Sequence, residues 1–341
     1  MSSLENPSIK AVIFGCAGTK LSEAERRFFA ESQPLGFILF QRNCQDPALT
    51  RRLIADLRDS VGRADAPILI DQEGGRVARL KPPHWRLPPS AARIAALGGD
   101  AARDAARINA RLIAYDLHDL GVTINCAPVL DIPIPGGHDV IGDRAFGVDP
   151  RTTADLGAAV CDGLMAGGIL PVIKHMPGHG RASVDSHHRL PVTDASLETL
   201  RATDFAPFAA HSERPWAMTA HMVFSAVDAA PATVSAPLIE RVIRGELGFG
   251  GVLFTDDLSM EALGGALGGA LGERAAAALD AGCDVVEQCN GRLDEMRAVA
   301  AAVGPLSEAA RARIEAAEAR RAAPRAIDRA ALAARLDELL G

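Results

Sequence analysis

Short apolar runs recur along the chain and alternate with longer segments in which apolar residues return every three or four positions. Polar and apolar residues do not alternate within the short runs, which is typical of parallel strands buried on both faces. Runs of this kind occupy residues 11–15, 36–40, 67–70, 123–128, 170–174, 216–221, 251–255 and 283–289. They predict strands that lie inside a parallel sheet.

The longer segments between these runs have the spacing of amphipathic helices. They occupy residues 22–31, 46–61, 100–120, 151–166, 197–212, 236–247, 272–281 and 293–303. Helix-start signals support two of them, because Ser22 is followed by Glu25 and Ser196 precedes a leucine-rich stretch. The sequence therefore predicts a helix after each strand.

This repeated strand–helix order predicts a (β/α)8 barrel of the TIM type. The chain has 341 residues, and such a barrel needs roughly 250. A doubly wound open sheet is the alternative, but it ordinarily has fewer strands, and no GxGxxG motif follows the first strand. We expect one catalytic domain over residues 1–341, with two extra C-terminal helices, rich in Ala, Arg and Glu, within about 307–341.

Composition narrows the possible partners and the compartment. A hydrophobic content of 48% supports a large core, and a formal charge of −7 argues against nucleic acids and anionic membranes as partners. The six cysteines form no CxxC pair, which favours reduced thiols in the core. Residues 1–10 show no basic region followed by an apolar stretch. We expect a cytoplasmic monomer that acts on a small molecule.

Polar residues follow the ends of several predicted strands. In a barrel of this type the active site lies at the carboxyl ends of the strands. The polar groups there are found at 71–76 after the third strand, Asp131 after the fourth, 174–175 after the fifth, His221 after the sixth and 256–257 after the seventh. This density of charge after apolar runs predicts a site at that end of the barrel.

The segment after the fifth strand contains the strongest signal for catalysis. Residues 174–188 read KHMPGHGRASVDSHH, and the proline and glycines in it prevent a continuing helix. Long loops in compact barrels are usually functional. Asp185 is two residues from His187 and is placed to orient its imidazole, which is suited to proton transfer near neutral pH. We interpret His187 as an acid/base residue with Asp185 as its partner.

Two other interpretations of this loop remain open. One is a purely structural loop. The other is a metal-dependent hydrolase that uses His175, His179, His187 and Asp256, although the spacing of His175 and His179 would place both on one face only in a helix. A sugar-binding module without catalysis is the non-enzymatic alternative, and such a module would be expected to lack a nucleophile or a proton donor.

Sugar chemistry accounts best for the whole set of residues. Cleavage of a glycosidic bond with retention needs a carboxylate nucleophile and a proton donor on the leaving oxygen. Asp256 directly follows the seventh strand and is expected to point into the barrel mouth, whereas Asp257 is expected to face away. The side chains that could hydrogen-bond to sugar hydroxyls are Asp71, Arg79, Arg144, Lys174 and His175.

The chain resembles glycoside hydrolase family 3, in particular its single-domain bacterial β-N-acetylhexosaminidases of peptidoglycan recycling (the NagZ type). The matching stretches span almost the whole chain, at 36–40, 71–77, 125–131, 141–146, 174–180, 185–187 and 255–260. The resemblance implies a retaining exo-β-N-acetylglucosaminidase. Its implied substrate is a muropeptide fragment, GlcNAc–1,6-anhydro-N-acetylmuramic acid with or without peptide, and it implies no cofactor and no metal.

The resemblance also implies residue roles. Asp256 is the nucleophile, His187 is the acid/base and Asp185 is its partner. The remaining positions bind sugar, and these are Asp71, Arg79, Arg144, Lys174 and His175. Because a histidine that has lost its proton is neutral, it does not repel an anionic nucleophile, and phosphorolysis of β-N-acetylglucosaminides remains an alternative to hydrolysis.

The sequence departs from the family pattern at three places. Met176 stands where an aromatic residue is commoner, and Arg181 with Ala182 replaces a more acidic or hydroxylic pair. Glu287 introduces a charge near the end of the eighth strand, where a neutral residue is expected. These departures leave the implied chemistry in place and bear on the preference for the leaving group.

Overall fold

The computed structural model describes residues 6–182, 190–261, 263–264 and 268–341. Within these residues eight parallel strands close into a barrel, in which each strand pairs with its neighbours in the chain and the last pairs with the first. The strands are β1 (Lys10–Phe14), β2 (Pro34–Leu39), β3 (Ile68–Ile70), β4 (Ile124–Asn125), β5 (Leu170–Met176), β6 (Trp216–Thr219), β7 (Val252–Asp257) and β8 (Val285–Gln288). The predicted α/β barrel and its strand order are confirmed.

The strands are apolar because both of their faces are covered. All residues of β2 and β5 are buried, and large side chains such as Phe37 and Trp216 are almost fully excluded from solvent. Trp216 packs edge-on against Phe254 of the neighbouring strand, with ring centroids 5.7 Å apart. A side chain inside a barrel meets other interior side chains, and one outside meets helices.

The helices surround the barrel close to their predicted positions. Their bounds are Glu23–Ser32, Pro47–Val61, Ala91–Ala95, Gly99–Leu120, Pro150–Ala166, Leu197–Ala202, Ala206–Ala209, Leu271–Asp280, Leu293–Ala302, Glu308–Ala319 and Arg329–Leu340, together with a π-helix over Leu238–Glu246. Ser22 and Glu25 form the expected capping box. The predicted helix at 197–212 is two short helices, because Pro207 at the start of the second has no N–H for a continuing helix.

A small hairpin after β3 was not predicted from the sequence. Gln72–Gly74 pairs antiparallel with Val77–Ala78. Gln72 closes this hairpin, since its side-chain oxygen accepts hydrogen bonds from the backbone N–H groups of Arg79, at 2.8 Å, and of Leu80, at 3.0 Å. Residues from both strands of the hairpin, Glu73 and Val77, line the pocket at the carboxyl ends of the barrel strands.

The C-terminal helices pack on the outside of the barrel. Ile314 in the first of them is fully buried, and Arg313 forms an ion pair with Asp284, which directly precedes β8. Leu336 in the last helix joins an apolar cluster with Ala102 and Ala105 of the long helix Gly99–Leu120. All cysteines are free and buried, as expected. Across the described ranges, no helix is long and apolar enough to cross a membrane.

Candidate active site

A pocket of about 350 Å³ opens at the carboxyl ends of the barrel strands. The predicted site residues that the structure describes all line it, namely Asp71, Arg79, Arg144, Lys174, His175 and Asp256. Further lining residues include Phe40, Glu73, His179, Met218, Asp257, Met260, Glu287 and Cys289. The structure therefore brings the described candidates together, while their individual roles remain predictions.

Lys174 and Asp71 form the centre of a cluster of charged side chains that lines the pocket. The Lys174 Nζ lies 2.7 Å from Asp71 Oδ1, and Arg79 lies 2.9 Å from the other oxygen of the same carboxylate. Burial alone would raise the pKa of Asp71, but Lys174 and Arg79 outweigh it and hold that pKa well below its ordinary value. Asp71 is thus an ionised acceptor with a fixed orientation.

Glu73 completes this cluster, although it was not among the predicted site residues. Arg144 binds it through two nitrogens, at 2.9 and 2.8 Å, and Lys174 Nζ is 2.7 Å from its Oε1. Burial opposes ionisation, yet Arg144 and Lys174 lower the pKa of Glu73 from 4.5 to about 2. The sequence placed Glu73 in the run after β3, but only the hairpin shows that it anchors Arg144.

Arg79 also contacts an aromatic ring. Its guanidinium carbon lies 4.9 Å from the centroid of the Phe40 ring, at the end of β2. This cation–π contact and the bond to Asp71 together hold the arginine over the pocket wall.

His175 is oriented by Asp131, a buried carboxylate after β4. The His175 Nδ1 lies 2.6 Å from Asp131 Oδ2, and the backbone N–H groups of His175 and His179 donate to Asp131 Oδ1 at 3.1 and 2.7 Å. Burial works against ionisation, but His175 outweighs it and lowers the pKa of Asp131. Because an ionised carboxylate only accepts hydrogen bonds, Nδ1 of His175 carries a proton.

His179 lies beside this pair, with its ring centroid 5.6 Å from that of His175. Burial, followed by the neighbouring His175, lowers the pKa of His179 from 6.5 to about 4. His179 is therefore neutral near physiological pH. In the described part of the chain its Nδ1 has no hydrogen-bond partner.

Asp256 lies near the end of β7 and faces the pocket. Burial would raise the pKa of its carboxyl, but His221 and His175 outweigh this effect and lower it. The backbone N–H of Asp257 donates to Asp256 Oδ1 at 2.8 Å. Asp256 therefore lies inside the barrel mouth, as predicted.

The carboxylate of the neighbouring Asp257 is hydrogen-bonded to other protein groups. Its carboxylate accepts from the Ser259 hydroxyl at 2.5 Å, from the Ser259 backbone at 3.0 Å and from the Cys289 backbone at 3.1 Å. His221, which is fully buried, lies 3.1 Å from the Asp257 carbonyl oxygen through Nε2 and 2.7 Å from the Thr233 hydroxyl through Nδ1. These contacts fix the end of β7 and thereby position Asp256.

The predicted acid/base His187 and its partner Asp185 lie outside the described residues. The metal-centre hypothesis also includes His187. In the described ranges no three His, Cys, Asp or Glu side chains are grouped so as to hold a metal ion.

The departures from the family pattern are found in and near the pocket. Met176 is fully buried at the end of β5. Arg181 pairs with the buried Asp204 at 2.6 Å and also donates to Thr203. Glu287 lines the pocket and is 1% exposed.

Comparison with known proteins gives one consistent family. Residues 3–323 match the family described as "Glycosyl hydrolase family 3 N terminal domain". A "Beta-hexosaminidase" from Thiobacillus denitrificans is 40% identical over 281 residues, which cover 80% of this chain and 76% of that protein.

Solved structures agree with this family. NagZ from Neisseria gonorrhoeae, in complex with N-trifluoroacetyl-D-glucosamine, superposes with a TM-score of 0.86 at 33% identity and covers 98% of this chain and 99% of its own. A glycoside hydrolase family 3 β-N-acetylglucosaminidase from Paenibacillus sp. str. FPU-7 has a TM-score of 0.84 at 32% identity, covering 96% of this chain and 67% of its own.

Proposed function

The chain belongs to glycoside hydrolase family 3 and is a β-N-acetylhexosaminidase, and on this premise we propose that it releases terminal GlcNAc with retention through a covalent glycosyl-enzyme. The observation that carries this proposal is the placement of Asp256 in the same pocket as the Lys174–Asp71 pair. A carboxylate and a set of hydroxyl-binding groups then face one sugar-sized space, as the reaction requires.

In the proposed first step an Asp256 oxygen attacks the anomeric carbon while His187 gives its proton to the leaving oxygen. The bond between that carbon and the leaving oxygen breaks, and a glycosyl ester of Asp256 forms. His187 then takes a proton from water, which attacks the same carbon and frees Asp256. Two inversions at one carbon restore the β-configuration.

The state of Asp256 supports its proposed role as nucleophile. A lowered pKa keeps the carboxylate ionised at neutral pH. The backbone N–H of Asp257 holds Oδ1, so Oδ2 is the oxygen that we assign to the attack.

An alternative mechanism uses the 2-acetamido group of the substrate as nucleophile, which requires two neighbouring carboxylates near that group. Asp256 and Asp257 are neighbours in sequence. However, the Asp257 carboxylate is bound by Ser259 and the backbone of Cys289. This arrangement favours Asp256 acting alone as the nucleophile.

The proposed sugar-binding residues are held in place by ion pairs and hydrogen bonds. Asp71 accepts from Lys174 and Arg79 and has a defined orientation towards the pocket. Asp131 holds His175 in one tautomer. Preorganised groups of this kind bind hydroxyls without having to reorganise, and we propose that Asp71, Arg79, Arg144, Lys174 and His175 bind the terminal GlcNAc.

Trapping of the covalent intermediate tests this mechanism. A 5-fluoro derivative of an activated β-N-acetylglucosaminide should leave one sugar on the protein, and peptide mass spectrometry should locate it on Asp256. Asp257→Asn is the matched control, because it changes the adjacent carboxyl and should still be labelled. A label elsewhere, or none on an active protein, would contradict the proposed nucleophile.

The proposed natural substrate is GlcNAc–1,6-anhydro-N-acetylmuramic acid with or without peptide. Product analysis with this disaccharide should show GlcNAc and the anhydro sugar. Carried out in phosphate buffer, the same analysis distinguishes hydrolysis from phosphorolysis, since the latter would give GlcNAc-1-phosphate.

We further propose that residues 1–341 act as one catalytic unit, as a monomer in the cytoplasm. Size-exclusion chromatography with light scattering tests the oligomeric state. Fractionation of cells with an antibody against the protein tests the compartment, and recovery in a membrane or extracytoplasmic fraction would contradict it.

A further inference from the structure

Arg181 holds the segment that follows β5 through a closed set of contacts with Thr203 and Asp204. Its Nε lies 2.6 Å from Asp204 Oδ2, and its Nη2 donates to the Thr203 hydroxyl at 3.0 Å. That hydroxyl is in turn 2.7 Å from the same Asp204 oxygen. Because two nitrogens of one planar guanidinium are engaged, the side chain of Arg181 is fixed in its orientation.

These contacts are largely shielded from solvent. The side chain of Asp204 is 1% exposed and that of Arg181 is 16% exposed. A buried ion pair is often no more stabilising than an apolar pair of the same volume, because both charges lose their hydration, and its best-attested role is to fix one arrangement of the chain. The Arg181–Asp204 pair is therefore explained better by the placement of a segment than by the stability of the fold.

Backbone contacts fix the same segment on its other side. The carbonyl oxygen of Ala182 accepts a hydrogen bond from the N–H of His138 at 2.8 Å. Gly180 lies so close to the backbone of Ile132 that a Cβ on it would be 1.9 Å from the Ile132 carbonyl oxygen. This segment is thus held between the chain that follows β4 and the carboxylate of Asp204.

The chain is held again further on. Val192–Thr193 pairs parallel with Val223–Phe224 in a small sheet. The proposed proton donor His187 is five residues from Ala182 and five from Val192 in the sequence. An extended chain of five residues spans at most about 18 Å, so the position of each held end limits where the His187 imidazole can be.

We propose that Arg181 is a positioning residue for proton donation, because its contact with Asp204 sets the point from which the chain runs to His187. The inference rests on the proposed function, since it requires His187 to protonate the leaving oxygen. Arg181 departs from the family pattern, which has a more acidic or hydroxylic residue at this position, and neither kind of residue could form this ion pair with Asp204.

The dependence of the rate on the leaving group tests this inference. A good leaving group departs without a proton, whereas a poor one needs the general acid. The value of kcat/KM covers the steps up to cleavage of the glycosidic bond, so it reports proton donation and not the later attack of water. The test therefore compares kcat/KM for phenyl β-N-acetylglucosaminide, which has the poor leaving group, with that for the 2,4-dinitrophenyl glycoside.

In Arg181→Met the value for the phenyl substrate should fall about tenfold or more, while the value for the dinitrophenyl substrate should stay within about threefold of that of the wild type. Arg181→Lys keeps a positive charge beside Asp204 but lacks the planar fork that also binds Thr203, so its loss on the phenyl substrate should be smaller. Because R181M leaves Asp204 buried without a cation, the double variant R181M/D204N removes both charges, and it should show the same dependence on the leaving group.

Arg201→Met is the matched control, because Arg201 also forms an ion pair, with Glu246, but lies exposed on the neighbouring helix Leu197–Ala202. Both substrates should keep their wild-type values in this variant. Equal losses on the two substrates in R181M and in the double variant would mean that Arg181 acts on the fold alone and would overturn the inference. Unchanged values for both substrates would overturn it as well.

His187→Ala separates this failure from failure of the proposed function. If His187 is the proton donor, H187A should lose far more activity on the phenyl substrate than on the dinitrophenyl substrate. This result in H187A, without any dependence on the leaving group in R181M, contradicts the inference alone. Equal losses on the two substrates in H187A contradict the proposed function, and the inference with it.

Discussion

The His175 imidazole and the Asp131 carboxylate lie 2.6 Å apart, and this contact joins the end of β5 to the segment after β4. Asp131 is fully buried and also accepts from two backbone N–H groups of the loop after β5. One carboxylate thus fixes both the ring of His175 and the path of the chain that carries it.

Replacing Asp131 by Asn should therefore impair catalysis without removing any group that we assign to sugar contact. The amide cannot stabilise the Nδ1–H tautomer of His175 as an ionised carboxylate does. We expect kcat/KM for 4-nitrophenyl β-N-acetylglucosaminide to fall about tenfold to a hundredfold. The exposed Asp59→Asn is the control, and an unaltered kcat/KM in D131N would show that this contact is not needed.

Removal of Lys174 should destabilise the protein as well as inactivate it. Lys174 is 2% exposed and neutralises Asp71 and Glu73. In Lys174→Met both carboxylates lose a shared cation inside the protein, which should cost about 3 kcal/mol of unfolding free energy in a urea titration. The same substitution at the exposed Lys20 should have almost no effect. An equal loss of unfolding free energy in the two variants would contradict a stabilising role for the buried contacts of Lys174 with Asp71 and Glu73.

Glu73 should make stability sensitive to acid. Its pKa is lowered from 4.5 to about 2 in the folded protein, so its stabilising contribution is present above about pH 4.5 and is lost as the pH falls towards about 2. The stability difference between the wild type and Glu73→Gln should shrink over that interval. The exposed Glu31→Gln is the control. A difference that stays constant with pH would be inconsistent with a lowered pKa.

Glu287 should have the opposite pH dependence. Because burial raises its pKa above the ordinary value of 4.5, the folded state binds this proton more tightly than the unfolded state does. Its contribution is greatest below about pH 4.5 and declines as the pH rises towards the folded-state pKa, by at most about 1.4 kcal/mol per pH unit. Glu287→Gln lacks this dependence.

Urea titrations over a pH series measure this difference. The unfolding free energy of the wild type, relative to E287Q, should decrease with rising pH. An increase with pH would mean that Glu287 is stabilised as an anion in the folded protein and would contradict a raised pKa.

Much of the fold could be predicted from the sequence because burial on both faces leaves uninterrupted apolar runs. Each predicted strand position contains a barrel strand, since that pattern is local in the chain. The hairpin formed by Gln72–Gly74 and Val77–Ala78 was missed, because its strands are too short to show any periodicity.

The part of the site that could be predicted from the sequence consists of residues in motifs that directly follow strands. The predicted Asp71, Lys174 and Asp256 do meet in one pocket. The roles of Glu73 and Asp131 in holding Arg144 and His175 could not be predicted, because each contact joins segments distant in the chain. Sequence alone identified Glu287 as unusual, but closure of the barrel was needed to place it at the pocket floor.

The hairpin after β3 has a consequence for how such a binding site can be exchanged. Asp71, Glu73 and Arg79 all come from residues 71–79, and Gln72 fastens that segment to itself through the backbone of Arg79 and Leu80. Both carboxylates of the charge cluster and one of its arginines are therefore supplied by a single continuous segment, residues 71–79. Exchanging this segment between related barrels would transfer that part of the proposed sugar-binding site as one insert, and the recipient would need to supply only the lysine and arginine that pair with it, here Lys174 and Arg144.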